Sequence, residues 1–144
     1  MQDIIIGSDH RGYELKGHIK DFLRLNKFFF IDVGCNSTAS VDYPVIVKEV
    51  VDTVAGSKHM AGILICGSGI GVSIAANRHK GIRAALCHTT EQARSAREHT
   101  DCNILCLGAD GADIESVKKI VNVFLKTKFL GDEKYKKRIA LLEA

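Results

Sequence analysis

The chain has 144 residues, 46% hydrophobic and 26% charged, the make-up of one compact globular domain that buries roughly two thirds of its unfolded surface and needs no disulfide or metal staple. Twenty Lys and Arg against seventeen Asp and Glu leave +3, mixed along most of the chain, which is unlike the basic footprint of a nucleic-acid binder. No apolar run approaches the roughly 18–20 residues of a membrane helix. Five scattered thiols (Cys35, Cys66, Cys87, Cys102 and Cys106), with no leading basic-then-apolar segment, point to reduced cysteines in a cytoplasmic protein.

In chain order, Ile4-Ile5-Ile6 predicts a buried strand over residues 3–8 that ends in the polar cluster Gly7-Ser8-Asp9-His10-Arg11-Gly12. A helix over 13–25 follows, with Leu15, Ile19, Phe22 and Leu23 on one face and Glu14, Lys16, Lys20, Asp21 and Arg24 on the other. Residues 28–33 form a second apolar run, too short for a helix and bounded by Gly34. Pro44 opens a valine-rich helix that Gly56 stops. Strands are expected at 62–66, 82–87 and 103–107, and helical segments at 72–77 and 90–99. The strongest helix runs over 113–128 behind an Asp113 cap, and a short basic helix over 132–142 carries only Tyr135, Ile139 and Leu142 as an apolar stripe. Five apolar runs alternating with helices imply a single-domain, doubly wound α/β fold of flavodoxin type, a five-stranded parallel sheet with helices on both faces. Ligands of such sheets bind beyond the strand carboxyl ends, here Asp9-His10, residues 66–71, Cys87-His88 and Gly108.

The sharpest motif is Cys66-Gly67-Ser68-Gly69-Ile70-Gly71, in which a strand ends in a thiol and three glycines bring backbone N–H groups together at a helix start. Such a nest binds anions and favours a thiolate, the reactive form of cysteine; the plainer alternative is a small core residue followed by a tight turn. The spacing is neither G-x-G-x-x-G nor a P-loop, since Tyr13 and Glu14 stand where Gly7 and Gly12 would require Lys and Ser or Thr. Asp9 and His10 could move protons or grip a hydroxyl or phosphate, or merely cap a helix. His99, near the end of a polar helix, reads equally as catalytic or as a cation at a helix C-terminus. Cys87-His88 and Cys102/Cys106 match no zinc spacing. The tail Lys134-Tyr135-Lys136-Lys137-Arg138 is a solvated face or a phosphate grip, and its helix is expected to find its apolar partner on another subunit.

Taken in order, Gly7 through Gly12, Asp42-Tyr43-Pro44, Ile65 through Gly71, Ala75-Ala76-Asn77-Arg78, Gly81-Ile82-Arg83-Ala84 and His99-Thr100-Asp101-x-Asn103 resemble the type B ribose-5-phosphate isomerase family, which also holds the galactose-6-phosphate isomerase subunits. The resemblance implies an aldose–ketose isomerase without cofactor or metal, whose substrate is a small sugar phosphate. It also implies a homodimer or dimer of dimers with sites between subunits and residues 131–144 exchanged. It assigns Cys66 as the base between C1 and C2, Ser68 to the hydroxyl proton, and the amides of Gly67, Ser68, Gly69, Ile70 and Gly71 to the enediolate. It gives His99, aided by Asp9, the ring opening, His10 and Arg138 the phosphate, and Tyr43 and Asn77 the pocket wall. Thr100 stands where many members have a substrate-binding Asn, Lys134 where a second phosphate Arg is usual, and Asp110 where an Arg is common. Asp110 is therefore expected to turn away or pair with a nearby Lys or Arg. The competing readings are a non-catalytic phospho-ligand module, a thiol redox protein built on Cys66, and an isomerase of six-carbon sugar phosphates. The redox reading lacks a C-x-x-C neighbour.

Overall fold

The computed structural model describes residues 2–144. Strands β1 (Asp3–Ser8), β2 (Phe30–Asp32), β3 (Met60–Cys66), β4 (Ala84–Leu86) and β5 (Ile104–Gly108) form one parallel sheet in the order β2-β1-β3-β5-β4. Helices α1 (Tyr13–Leu25), α2 (Tyr43–Ala55), α3 (Ile70–Asn77), α4 (Thr90–Thr100), α5 (Ile114–Lys126) and α6 (Glu133–Leu142) alternate with or follow the strands, and a 3-10 turn, His10–Gly12, precedes α1. None of these helices is long and apolar enough to cross a membrane.

The period-two alternation of each strand divides its side chains between two helical layers. Ile4, Ile6, Ile63, Ile65, Leu105 and Leu107 pack with Leu15, Ile19 and Leu23 of α1, Ala93 of α4 and Val121 and Phe124 of α5. Ile5, Leu64, Cys66, Ile104 and Cys106 pack with the valines of α2 and with Val72 and Ala76 of α3. The β-branched α2 forms because Val47, Val50, Val51 and Val54 are all buried, and that burial outweighs their weak helix propensity. Doubly wound architecture is therefore as the sequence predicts, but β5 lies between β3 and β4, whereas a flavodoxin-type order would leave β5 at the edge. The cause is composition: Ile104, Leu105, Cys106 and Leu107 are all buried, while Ala84, Ala85 and Leu86 are only half-buried and suit an edge.

Two strands are shorter than their apolar runs. Phe28 donates back to Leu23 at 2.9 Å and Lys27 is left-handed (φ +60), so the start of the second run closes α1. Ile82 donates to His79 and Arg83 to Asn103 Oδ1, which leaves only three residues of the fourth run in the sheet.

Lys16, expected on the solvent face of α1, is 1% exposed. Its Nζ donates to Asp32 Oδ1 and to the Cys35 carbonyl, both at 2.6 Å, while Lys20 takes Asp32 Oδ2 at 2.6 Å. Burial pushes the Asp32 carboxyl up, but the hydrogen bonds from Lys16 and Lys20 outweigh it and hold the group below its usual value. This ion cluster fixes the edge strand β2 to α1. Lys16→Met is expected to cost about 2–3 kcal/mol, since Asp32 keeps Lys20. Because the folded protein lowers the carboxyl's pKa, the deficit is full above about pH 5 and shrinks as the pH falls below about 4; thermal melts of both proteins across pH 3–7 measure it.

Candidate active site

At the carboxyl edge of the sheet, β3 ends at Cys66 and the chain turns through Gly69 at φ +77, where a Cβ would stand 2.9 Å from the Leu107 carbonyl carbon and 2.5 Å from Leu86 Cδ1. Only glycine fits, and the turn brings the Gly69 N–H to 3.1 Å from Cys66 Sγ. The Ile70 N–H is taken by Ser68 Oγ at 3.2 Å. Two of the five amides expected on an anion are therefore already engaged; Gly71 and Val72, in the first turn of α3, have no protein acceptor among the described residues. Cys66 is 4% exposed and Ser68 lies at the surface. Tyr43, the first residue of α2, lays its ring on Gly71, where a Cβ would come 2.6 Å from Cζ and 2.8 Å from the hydroxyl oxygen.

Asp9 and His10 reach the same edge from β1. Asp9 Oδ1 accepts from the N–H groups of Arg11 (3.0 Å) and Gly12 (3.1 Å), while Oδ2 has no protein partner and is not sealed from solvent. Asp9 is thus a cap with one carboxylate oxygen unengaged. His10 Nδ1 accepts from the Val41 N–H at 3.2 Å, which leaves Nε2 as the donor. Asp110 pairs with Arg11, as its charge required.

His99 and Thr100 sit elsewhere. Helix α4 begins after β4 and runs its 11 residues, about 16 Å, back to the amino edge before β5. His99 Nδ1 lies 3.0 Å from Ser95 Oγ, and its ring stacks on Tyr135 with centroids 4.7 Å apart. Lys134 Nζ and the Arg138 guanidinium lie 4.9 and 6.0 Å from the same Tyr135 ring. The Thr100 hydroxyl donates to the Ala96 carbonyl at 2.7 Å, so it is not free as a donor. Arg97 braces this helix end through Asp101 and the Thr127 and Cys102 carbonyls. Within one chain, His99 therefore cannot act beside Asp9 or Cys66. Ser95 and Tyr135 were missed as partners of His99; the i, i+4 spacing of Ser95 was the available signal, while Tyr135 had none.

Within the chain the tail helix lies beside the end of α4 and the start of β4. Leu130 donates to the Glu98 carbonyl at 3.2 Å, and Glu143 accepts from Gly81 N (3.1 Å) and Arg83 Nη1 (2.6 Å). The hydrogen bond from Arg83 holds the Glu143 carboxyl below its usual value. Asn77 also departs from expectation: its Nδ2 donates to the Ala84 carbonyl at 2.9 Å and its Oδ1 accepts from Ala84 N at 2.8 Å, which caps β4 at the amino edge, far from the nest.

A cleft of about 480 Å³ adjoins the nest through Gly67 and Ser68 and runs past His88, Asp110 and Asp113. Burial, and then repulsion from Cys102, pushes the Cys87 thiol up to about 11, and burial raises Cys102 and Cys106 as well. These three thiols are poor nucleophiles at neutral pH. No group of three His, Cys, Asp or Glu among the described residues is placed to hold a metal ion.

The sequence and the fold both have matches among known proteins. Residues 4–142 match the description of the ribose/galactose isomerase family, and the chain belongs to that family. A putative sugar phosphate isomerase of Rickettsia bellii is 49% identical over 129 residues, 90% of each chain. Ribose-5-phosphate isomerase B of Escherichia coli is 38% identical over 144 residues, 100% of this chain and 96% of the relative. The solved ribose 5-phosphate isomerase B of Anaplasma phagocytophilum superposes with a TM-score of 0.93 at 43% identity, covering 99% of this chain and 97% of that one. The Mycoplasma genitalium enzyme with bound ribulose-5-phosphate does so with 0.92 at 40%, covering 98% and 93%. The protein is a sugar-phosphate isomerase.

Because both amide atoms of Asn77 serve β4, Asn77→Ala is expected to lower stability by roughly 1–2 kcal/mol. The loss appears as a lower Tm with KM unchanged; a raised KM at constant Tm returns Asn77 to the substrate.

Proposed function

We propose that the protein interconverts ribose 5-phosphate and ribulose 5-phosphate through a cis-enediolate, in sites each assembled from two copies of the chain. The observation that carries the reading is the Gly69 N–H directed at Cys66 Sγ beneath the open first turn of α3. His99 of the second copy opens the furanose ring, with the free oxygen of Asp9 receiving or returning a hydroxyl proton. The Cys66 thiolate takes the proton from C2, and the electron pair forms the C1–C2 double bond while the carbonyl oxygen becomes the enediolate oxyanion. The Gly71 and Val72 N–H groups, fixed before reaction, stabilise that charge where it develops. Ser68 passes the proton from O2 to O1, Cys66 returns its proton to C1, and the ketose results with no electrons gained or lost. His10 Nε2, with Lys134 and Arg138 of the second copy, grips the phosphate, and Tyr43 walls the pocket.

The separation of the two sets of residues supports the two-copy reading. Cys66 and His99 occupy opposite edges of one sheet, and between them α3 exposes Ile70 and Ile74, each 54% accessible, beside Val45 at 66%. A two-fold axis through this apolar strip sets the nest of one copy against the α4 end of the other, twice. A dimer of such dimers would preserve the arrangement.

A coupled assay of the purified protein with ribose 5-phosphate and no added metal tests the activity; allose 6-phosphate and galactose 6-phosphate in the same assay test the six-carbon reading. Cys66→Ala should lower kcat by roughly 10²–10⁴ with phosphate binding retained, and full activity in that variant removes the base assignment. Ser68→Ala should slow the reaction less, and Arg138→Ala should chiefly raise KM. Co-refolding Cys66→Ala with the double variant His99→Ala/Arg138→Ala in equal amounts should restore about one quarter of wild-type activity, because half the dimers are mixed and each mixed dimer has one intact site. A mixture no more active than the sum of its parts rejects the shared site.

A further inference from the structure

Arg11, in the His10–Gly12 turn, lies against the nest rather than over α1. A Cβ built on Gly67 would stand 2.5 Å from Arg11 Cζ and 2.7 Å from both Nε and Nη1, so the guanidinium rests on the peptide immediately after Cys66. Asp110 holds it there through Nη2, and the Asp110 N–H in turn donates to the Gly67 carbonyl at 2.9 Å. Both members of the ion pair are therefore fixed to the same residue of the glycine turn. The Arg11 N–H is fixed as well, on Asp9 Oδ1 at 3.0 Å. Arg11 Nε and Nη1 have no protein acceptor among the described residues, and the side chain remains 58% exposed beside Asp110 at 53%.

An isolated ion pair this exposed contributes little to stability, so the positioning needs another explanation. Charge supplies it. Of the side chains gathered at this edge (Asp9, His10, Arg11, Tyr43, Cys66 and Asp110), only Arg11 carries a permanent positive charge, and without it a dianionic ligand would meet two carboxylates. A planar guanidinium with unengaged N–H groups suits bidentate contact with phosphate oxygens.

We propose that Arg11 is a phosphate ligand of the nest-bearing half-site and that Asp110 is its positioning residue, an assignment that rests on the sugar-phosphate reading above. In Arg11→Ala, KM for ribose 5-phosphate and the inhibition constant of inorganic phosphate both rise about ten- to hundredfold, while kcat changes less than about threefold. Arg11→Lys, which keeps the charge but loses the fork, falls between. Asp110→Ala raises both constants about two- to fivefold alone, but on the Arg11→Ala background it raises neither and lowers them, because there it only removes an unpaired carboxylate that faces the phosphate. Phosphate inhibition unchanged in Arg11→Ala, or an Asp110→Ala increase that persists without Arg11, overturns the assignment. Calorimetric titration of inorganic phosphate into wild type and Arg11→Ala reads the same contact without turnover. If ribose 5-phosphate is not a substrate yet phosphate binding weakens about tenfold, the activity reading fails and the Arg11 assignment stands; if phosphate binds both proteins equally, the Arg11 assignment fails.

Discussion

Every strand of a parallel sheet delivers its carboxyl end to the same edge, and every connecting helix carries the chain back to the other. This constraint divides the reactive groups of the molecule. Residues that follow strands, namely Asp9, His10, Cys66 to Gly71 and Asp110, collect at one edge, whereas His99 and Thr100, which end a helix, collect at the opposite edge with α6. No side-chain rotation joins the two sets, because a sheet and a three-turn helix lie between them. In the proposed reaction a second copy supplies the missing set, and the surface between the two sets carries the exposed isoleucines of α3.

Local sterics make the nest. Gly69 takes a left-handed backbone where Leu86 and the Leu107 carbonyl leave no room for a side chain, and the resulting turn aims one N–H at the Cys66 sulfur. Gly71 and Gly67 have a different task, since each yields its side-chain space to a neighbour: the Tyr43 ring in one case and the Arg11 guanidinium in the other. Three alternating glycines thus answer three separate packing demands within one turn.

Support for the sheet comes from polar groups that a composition count would assign to solvent. Lys16 is buried under β2 and Asp32, Arg97 under the end of α4, and Asn77 and Glu143 hold β4 and its approach in place. Lys16 and Arg97 use long apolar stems to cross the core boundary and spend their charge on backbone or carboxylate partners. The inert thiols Cys87, Cys102 and Cys106 are core packing, which sets Cys66 apart by its place at a strand end and not by its chemistry as an amino acid.

The α/β class, the five strands, the six helices and the glycine turn after Cys66 were legible in the chain itself, because hydrophobic period and glycine spacing are local properties. The place of β5 inside β4 was legible in part, through the richer apolar content of the inner strand. Which amides of the turn remain open, the pairing of Arg11 with Asp110, the use of Asn77 by β4 and the return of α6 to its own α4 were decided by tertiary structure alone. Each of these depends on where a side chain finds its partner across 7 to 99 positions of sequence, a choice made by packing and not by local pattern. The separation of Cys66 from His99 belongs to the same group: the residues were readable one by one, but only the three-dimensional course of α4 places them on opposite edges of the sheet.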